Sequence, residues 1–341
     1  MRWQSTSLKI LATASILSGA VENVAAAFNW NNTKYVYAFG DSYSFVQGTR
    51  GYANFSFIGD MEHLAFTPAQ LLSNQIIPKN VHPLKALTGY LAHAEYFECS
   101  VQLTDLSTPQ LEFLTGCGTG LPSRCTKQLW DFAFAGADIS GKLLPLHHVW
   151  TVPLVDQVSQ WSRFAANVIP HPDDQTLATW WIGINDTGDT LSNTTITDFE
   201  AFWHQEMDAY FEAVQTATQR GLHTHLFLNV PPGDRAPASN SNPTKAATQK
   251  AHILQYNRIL TERIGRFKKA NPSTTVLTFD AHAWFSKVLG SPQQYGFTNV
   301  TGFCTCANPT GYFWYNSGHP TERVHLLLAE AIGEALSKAA H

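Results

Sequence analysis

Residues 34–42 read KYVYAFGDS, an apolar run that stops abruptly at glycine, aspartate and serine. A short apolar run closed by a turn signal is the pattern of a strand buried on both faces. The same form recurs in TLATWWIGIND (176–186), HTHLFLNVPPGD (223–234) and TTVLTFDAHAWF (274–285). Between them lie segments with helical spacing: PLVDQVSQWSRFAANVI (153–169), ITDFEAFWHQEMDAYFEAVQTATQRG (196–221) and ATQKAHILQYNRILTERIGRFKKAN (247–271). The last two close on Gly221 and on Asn271-Pro272, ordinary helix stops. Strands alternating with helices of this length predict a parallel sheet covered on both faces, a three-layer α/β/α sandwich. No repeat, Ser/Thr/Pro linker or cysteine-rich module divides residues 28–341, which read as one domain of catalytic size.

In open parallel sheets, ligands bind beyond the carboxyl ends of the strands. The polar residues that follow each strand are therefore the candidates. Ser42 stands where the first strand turns toward a helix, which would present its hydroxyl and its backbone N–H at the sheet edge. The plainer alternative is that Asp41 or Ser42 caps that helix. In DFAFAGADIS (131–140), Gly136 can bring its backbone N–H close to a ligand because no side chain intervenes. Asn185 follows another strand and could aim its amide at a developing oxyanion, or could form an Asx turn. His319, in FWYNSGHPTERVH (313–325), precedes Pro320 at an expected first helical position, with Glu322 placed as a capping partner.

Together, FGDSYS (39–44), FAGA (134–137), GIND (183–186) and HP (319–320) give the order Ser, Gly, Asn, His. That order resembles the SGNH, or GDSL, hydrolase superfamily, with matching blocks from residue 36 to residue 325. LWDFAFAGADIS, VPLVDQV, WWIGINDTGDT and SGHPTERVH look most like fungal secreted members of family sixteen of the carbohydrate esterases. The resemblance implies a flavodoxin-like fold and ester hydrolysis through an acyl-enzyme, with no metal or organic cofactor. It implies that Ser42 attacks, that His319 is the general base, and that Ser42 N–H, Gly136 N–H and Asn185 form an oxyanion hole. The expected substrate is an acetylated plant-wall carbohydrate or another small ester, with a lipase-like acylhydrolase as the rival within enzymes.

The sequence departs from that family at one position. Its pattern is Asp-x-x-His, whereas here Asn316 stands three residues before His319. The acid of a triad fixes the imidazole tautomer and stabilises the imidazolium. An amide oxygen can do the first by accepting the Nδ1–H bond; it carries no charge for the second. Asn316 is thus read as the orienting member of a triad weakened in charge. A catalytically impaired, carbohydrate-binding relative is the alternative.

Other features bound the setting. MRWQSTSLKILATASILSGAVENVAAAFNW opens with Arg2 and Lys9 before an apolar run, and Ala25-Ala26-Ala27 offers a cleavage site. Residues 1–27 therefore read as a secretory signal peptide, and the mature protein as extracellular. Sequons at Asn31, Asn54, Asn193 and Asn299 agree with that route; Asn185 also lies in one, and a catalytic role would exclude a glycan there. A net charge of −4 without a basic block argues against nucleic acid. No run outside the leader reaches the ~18 apolar residues of a membrane span. Of five cysteines, Cys117 and Cys125 close the loop CGTGLPSRC and make the expected bridge; Cys304 and Cys306 are close for an easy one, and Cys99 is left over.

Residues 81–110 match the resemblance poorly although their flanks, NQIIPKN and EFLTGC, fit. They read either as a surface insertion or as a retained intron. Val81 can be encoded by a codon beginning GT, Gln110 by one ending AG, and removal of the segment leaves four cysteines. His223 and His225 alternate on one strand but show no third ligand for a metal. His147 and His148, adjacent in sequence, are expected to point apart. Trp180 and Trp181 suit a buried strand better than a sugar platform.

Overall fold

The computed structural model describes residues 28–45, 110–117, 122–148 and 151–339. The expected signal peptide at 1–27, the sequon at Asn54, Cys99 and residues 81–109 lie outside them. A parallel five-stranded sheet forms the centre, from β1 (Tyr35–Gly40), β2 (Gln128–Asp131), β3 (Thr176–Trp181), β4 (Thr224–Leu228) and β5 (Thr275–Phe279). Their spatial order is 2-1-3-4-5, the flavodoxin-like arrangement, and its reversal of strand order falls between β1 and β3.

Helices flank both faces: α1 (Gln110–Thr115), α2 (Leu154–Gln160), α3 (Ile184–Asp189), α4 (Phe199–Gln219), α5 (Pro243–Ala270), α6 (Ala281–Gly290) and α7 (Glu322–Ala339). Each central strand serves both layers because successive side chains alternate in direction. Tyr37, Phe39, Trp180 and Phe227 join one core with Val158 of α2, Trp203 and Tyr210 of α4 and Tyr256 of α5. Val36, Ala38, Leu177 and Trp181 join the other with Phe285 of α6 and Val324, Leu328 and Ile332 of α7. Phe39 stacks on Trp180 at 4.7 Å between centroids. Side chains of this size each contribute roughly 1.5–3 kcal/mol on burial. Trp180 and Trp181 are thus core residues.

Two starts differ from the sequence reading. Helix α5 begins at Pro243, ahead of the apolar periodicity, because the Asn242 side chain accepts from Lys245 N–H and Pro occupies the first turn. The second half of TTVLTFDAHAWF is helical, since Asp280 caps α6 by accepting from Ala283 N–H.

A second, two-stranded sheet pairs β6 (Asn299–Phe303) with β7 (Tyr312–Trp314) next to α7. Cys117 and Cys125 are bridged, with Cα atoms 5.3 Å apart. Cys304 and Cys306, expected to bridge only with difficulty, are also paired, their Cα atoms 5.2 Å apart. Asn31 is exposed ahead of β1, while Asn193 and Asn299 are half-buried. Gln110 opens α1 and is buried, its Oε1 2.9 Å from His325 Nδ1.

Candidate active site

Ser42, Gly136 and Asn185 follow β1, β2 and β3, so the reversal of strand order gathers them at one edge of the sheet. Gly40 ends β1 where a Cβ would collide with the carbonyl of Trp181 on β3. Glycine there lets β1 and β3 stay paired to their last residues. Beyond it the chain makes one turn, with Ser44 and Phe45 N–H both donating to Asp41 O. Asp41 Oδ1 accepts from Tyr43 N–H at 3.0 Å. The capping job therefore falls to Asp41, and Ser42 keeps its hydroxyl for another partner.

That partner is His319, whose Nε2 lies 2.8 Å from Ser42 Oγ. Asn316 Oδ1 lies 3.0 Å from His319 Nδ1 and also accepts from the N–H groups of Gly318 (2.9 Å) and His319 (2.7 Å). Two backbone donors converging on one amide atom require that atom to be the oxygen. The ring must then carry its proton on Nδ1, which leaves Nε2 bare to accept from Ser42 O–H. Burial pulls the His319 imidazole down to about 4, so it stays neutral through the physiological range.

Asn185 Nδ2 donates to Ala137 O at 2.9 Å, tying the loop of Gly136 to the start of α3. This is the atom a glycan would occupy, so the Asn185 sequon is engaged in the fold. The amide retains a second N–H. Gly136 has φ +74°, a left-handed conformation that favours glycine.

Beneath these loops lies a group of buried carboxyls. Asp41 adjoins Ser42, Asp138 follows Ala137, Asp186 follows Asn185, and Glu206 comes from α4. Burial pushes Asp41 up to about 8 and raises Asp138, Asp186 and Glu206. Burial in this way favours the neutral form of these carboxyls over a buried charge. Asp186 Oδ1 anchors the loop after β2 by accepting from Ile139 N–H at 2.9 Å.

A family model of GDSL-like lipases and acylhydrolases matches residues 36–332. The chain belongs to that family. It is an ester-bond hydrolase. Over 211 residues, 60% of this chain and 68% of the relative, it is 27% identical to an acetylesterase of Thermothelomyces thermophilus. An acetyl xylan esterase of known structure aligns at 12% identity, covering 88% of this chain and 98% of its own, with TM-score 0.40. A GDSL-like lipase from Parabacteroides merdae aligns at 12% identity over 93% and 99%, with TM-score 0.43.

In this GDSL hydrolase several supporting residues escaped the sequence reading. Gln157 of α2, fully buried within the quoted VPLVDQV, brackets Gly40. Its Nε2 donates to Gly40 O (2.8 Å) and Val152 O (2.9 Å), and its Oε1 accepts from Gly40 N–H (3.0 Å). Tyr43 O–H donates to Gly318 O at 2.6 Å, and its ring lies 5.7 Å from that of His319. A polar residue inside an apolar stripe is the one sequence signal that marks Gln157.

Two expectations are corrected. Pro320 is not the first residue of a helix: it bridges to Trp314, and Thr321 N–H donates to Phe313 O at 2.9 Å, so α7 starts at Glu322. His319 is therefore fixed by the edge of β7 rather than by a helix start. His147 and His148 do not point apart, since their rings meet edge to face at 4.7 Å. His223 and His225 also part company. His223 pairs with Asp173 at 3.0 Å, while His225 is buried between Trp180 Nε1 (3.1 Å) and Thr218 Oγ1 (3.2 Å). Among the described residues no group of three or more His, Cys, Asp or Glu is placed to hold a metal ion.

Proposed function

We propose that this GDSL hydrolase is a secreted esterase that removes acetyl groups from plant-wall carbohydrates through an acyl-enzyme on Ser42. The observation that carries the reading is the 2.8 Å contact of Ser42 Oγ with an imidazole whose other nitrogen is held by Asn316. Serine becomes an effective nucleophile when a neighbouring base takes its proton as it attacks. Oγ bonds to the ester carbonyl carbon while its proton passes to Nε2. The negative charge on the carbonyl oxygen is met by Ser42 N–H, Gly136 N–H and the free N–H of Asn185. One such donor is worth about 10²–10³ in rate. The imidazolium returns the proton to the departing alkoxide. Water then repeats the sequence on the acyl-enzyme, freeing the acid and restoring Ser42.

The acetylesterase relative supports a short acyl group. The large apolar side chains exposed among the described residues, Leu254, Phe303 and Leu326, come from three separate elements, which weighs against a lipase-like surface. The leader at 1–27 and the two disulfides suit export to an oxidising compartment. A single observation favours the impaired, carbohydrate-binding alternative: the uncharged Asn316. The test is hydrolysis of 4-nitrophenyl acetate and octanoate by purified protein. The acetate is expected to be preferred by about tenfold in kcat/KM, a discrimination within reach of pocket size alone. Preference for octanoate would overturn the acetyl reading, and turnover no faster than Ser42→Ala would favour the impaired one. Acetate release from acetylated xylan by the active protein, and none from Ser42→Ala, is the companion result for the carbohydrate.

A further inference from the structure

Next to Gly136 sits a histidine–carboxylate pair. His147 Nδ1 lies 2.8 Å from Asp189 Oδ2. Asp189 belongs to α3, one helical turn beyond Asn185, so the two side chains lie along the same face of that helix. The His147 ring packs on Gly136: a Cβ at position 136 would sit 3.0 Å from its Cδ2. The ring therefore touches the residue of one proposed oxyanion donor and is pinned from the helix that carries another.

The pair is also accessible, with side chains 38% and 35% exposed for His147 and Asp189. Next to it, His148 N–H donates to Thr151 Oγ1 (3.1 Å) and Thr151 N–H donates to His148 O (2.9 Å). Asp189 Oδ2 accepts from His147 Nδ1–H, and Nε2 has no partner among the described residues. The proton transfer proposed for Ser42 and His319 does not use this nitrogen.

We propose that His147 is a substrate-binding residue that hydrogen-bonds a hydroxyl on the alcohol part of the ester, with Asp189 positioning its ring. The methyl of an acetyl group offers nothing to hydrogen-bond, so the alcohol part is what can pair with His147 Nε2. A hydroxyl suits the site in either protonation state. It donates to bare Nε2 when the ring is neutral and accepts from Nε2–H when the ring is charged. The Asp189 hydrogen bond raises the proton affinity of His147, and the carboxyl at 2.8 Å would repel an anion at the ring. The site therefore fits an uncharged polyol rather than an anion.

The inference rests on the serine-ester reading of the same site and names what its alcohol part carries. The test compares kcat/KM for 2-hydroxyethyl acetate and ethyl acetate, which differ by one hydroxyl, in the wild type, His147→Phe, His147→Gln, Asp189→Asn and Ser42→Ala. The wild type is expected to favour the hydroxy ester by about tenfold, the usual scale of one hydrogen bond to a polar or charged partner. His147→Phe should bring the ratio to about one, mainly through KM, and His147→Gln should retain most of it because the amide can still pair. Asp189→Asn should lower the ratio to about threefold, since the ring is less firmly held. A wild-type ratio near one, or a His147→Phe variant in which both esters slow equally, would overturn the inference and leave the ring as packing against Gly136. Failure of the underlying reading looks different: Ser42→Ala would then hydrolyse both esters as fast as the wild type.

Discussion

Ser42→Ala and His319→Ala are each expected to lower kcat for 4-nitrophenyl acetate by about 10³-fold or more. The double variant should be no slower than the worse of the two. In the proposed mechanism the two groups act in one event, because the proton that leaves Ser42 Oγ is the one that His319 Nε2 receives across 2.8 Å. Removing either therefore removes the whole step. What survives is the binding and oxyanion contribution of Gly136 and Asn185, which in serine hydrolases still exceeds the reaction in water. Effects of the single variants that multiply in the double would mean that the two residues act separately, and a small effect of Ser42→Ala would remove the nucleophile from the account.

Asn316→Asp is expected to move the acidic limb of the pH dependence of kcat/KM upward by about one to two units and to raise kcat at pH 7 by about tenfold. The sign follows from the role proposed for His319. A general base works when neutral, so activity rises as pH rises through its pKa, which burial holds at about 4 in the wild type. Among the described residues the groups facing the ring are Ser42, Tyr43, Asn316 and, at longer range, His325, and none of these supplies a negative charge. A carboxylate in place of the Asn316 amide would favour the imidazolium, raising the pKa and strengthening the base. At pH 7 the base remains mostly neutral in both proteins, so the gain is seen without loss from protonation.

The surrounding structure should accept the change. Asn316 Oδ1 already receives two backbone N–H groups and the ring Nδ1–H, a set of donors that suits a carboxylate oxygen. This also explains why the amide need not be ruinous. In the chymotrypsin triad, Asp to Asn costs about 10⁴ because the wrong tautomer results. Here the backbone donors turn the amide oxygen toward the ring, so the tautomer is the productive one. Asn316→Leu should be the harmful variant, at about 10²-fold, since it leaves Nδ1–H and two backbone N–H groups without their acceptor. An unchanged acidic limb in Asn316→Asp would mean that charge at this position is not felt by His319.

The sheet was legible because its determinants are local. YVYAF, TLATWW and THLFL are apolar on both faces, and each ends in residues that stop a strand. The candidate site was legible for a related reason: Ser42, Gly136 and Asn185 each follow a strand directly, and parallel strands deliver their carboxyl ends to one edge. What stayed hidden depends on contacts between distant segments. Pro320 reads as a helix start in any local window, and only its pairing with Trp314 on β7 holds it extended. The bracket of Gln157 on Gly40 spans 117 residues. The turn that sets His147 against Asp189 brings together positions 42 residues apart. Asp138 and Glu206 look like surface carboxylates in sequence, and only the packing of α4 behind the loops buries them.

The most direct test of the central claim is covalent capture. A fluorophosphonate ester reacts with an activated serine, forming a phosphorus–oxygen bond at Oγ and releasing fluoride. Intact-protein mass spectrometry should show one adduct per wild-type chain, peptide mapping should place it on Ser42, and His319→Ala should label far more slowly. Absence of labelling, or an adduct on another residue, would contradict an Asn316-held His319 that activates Ser42.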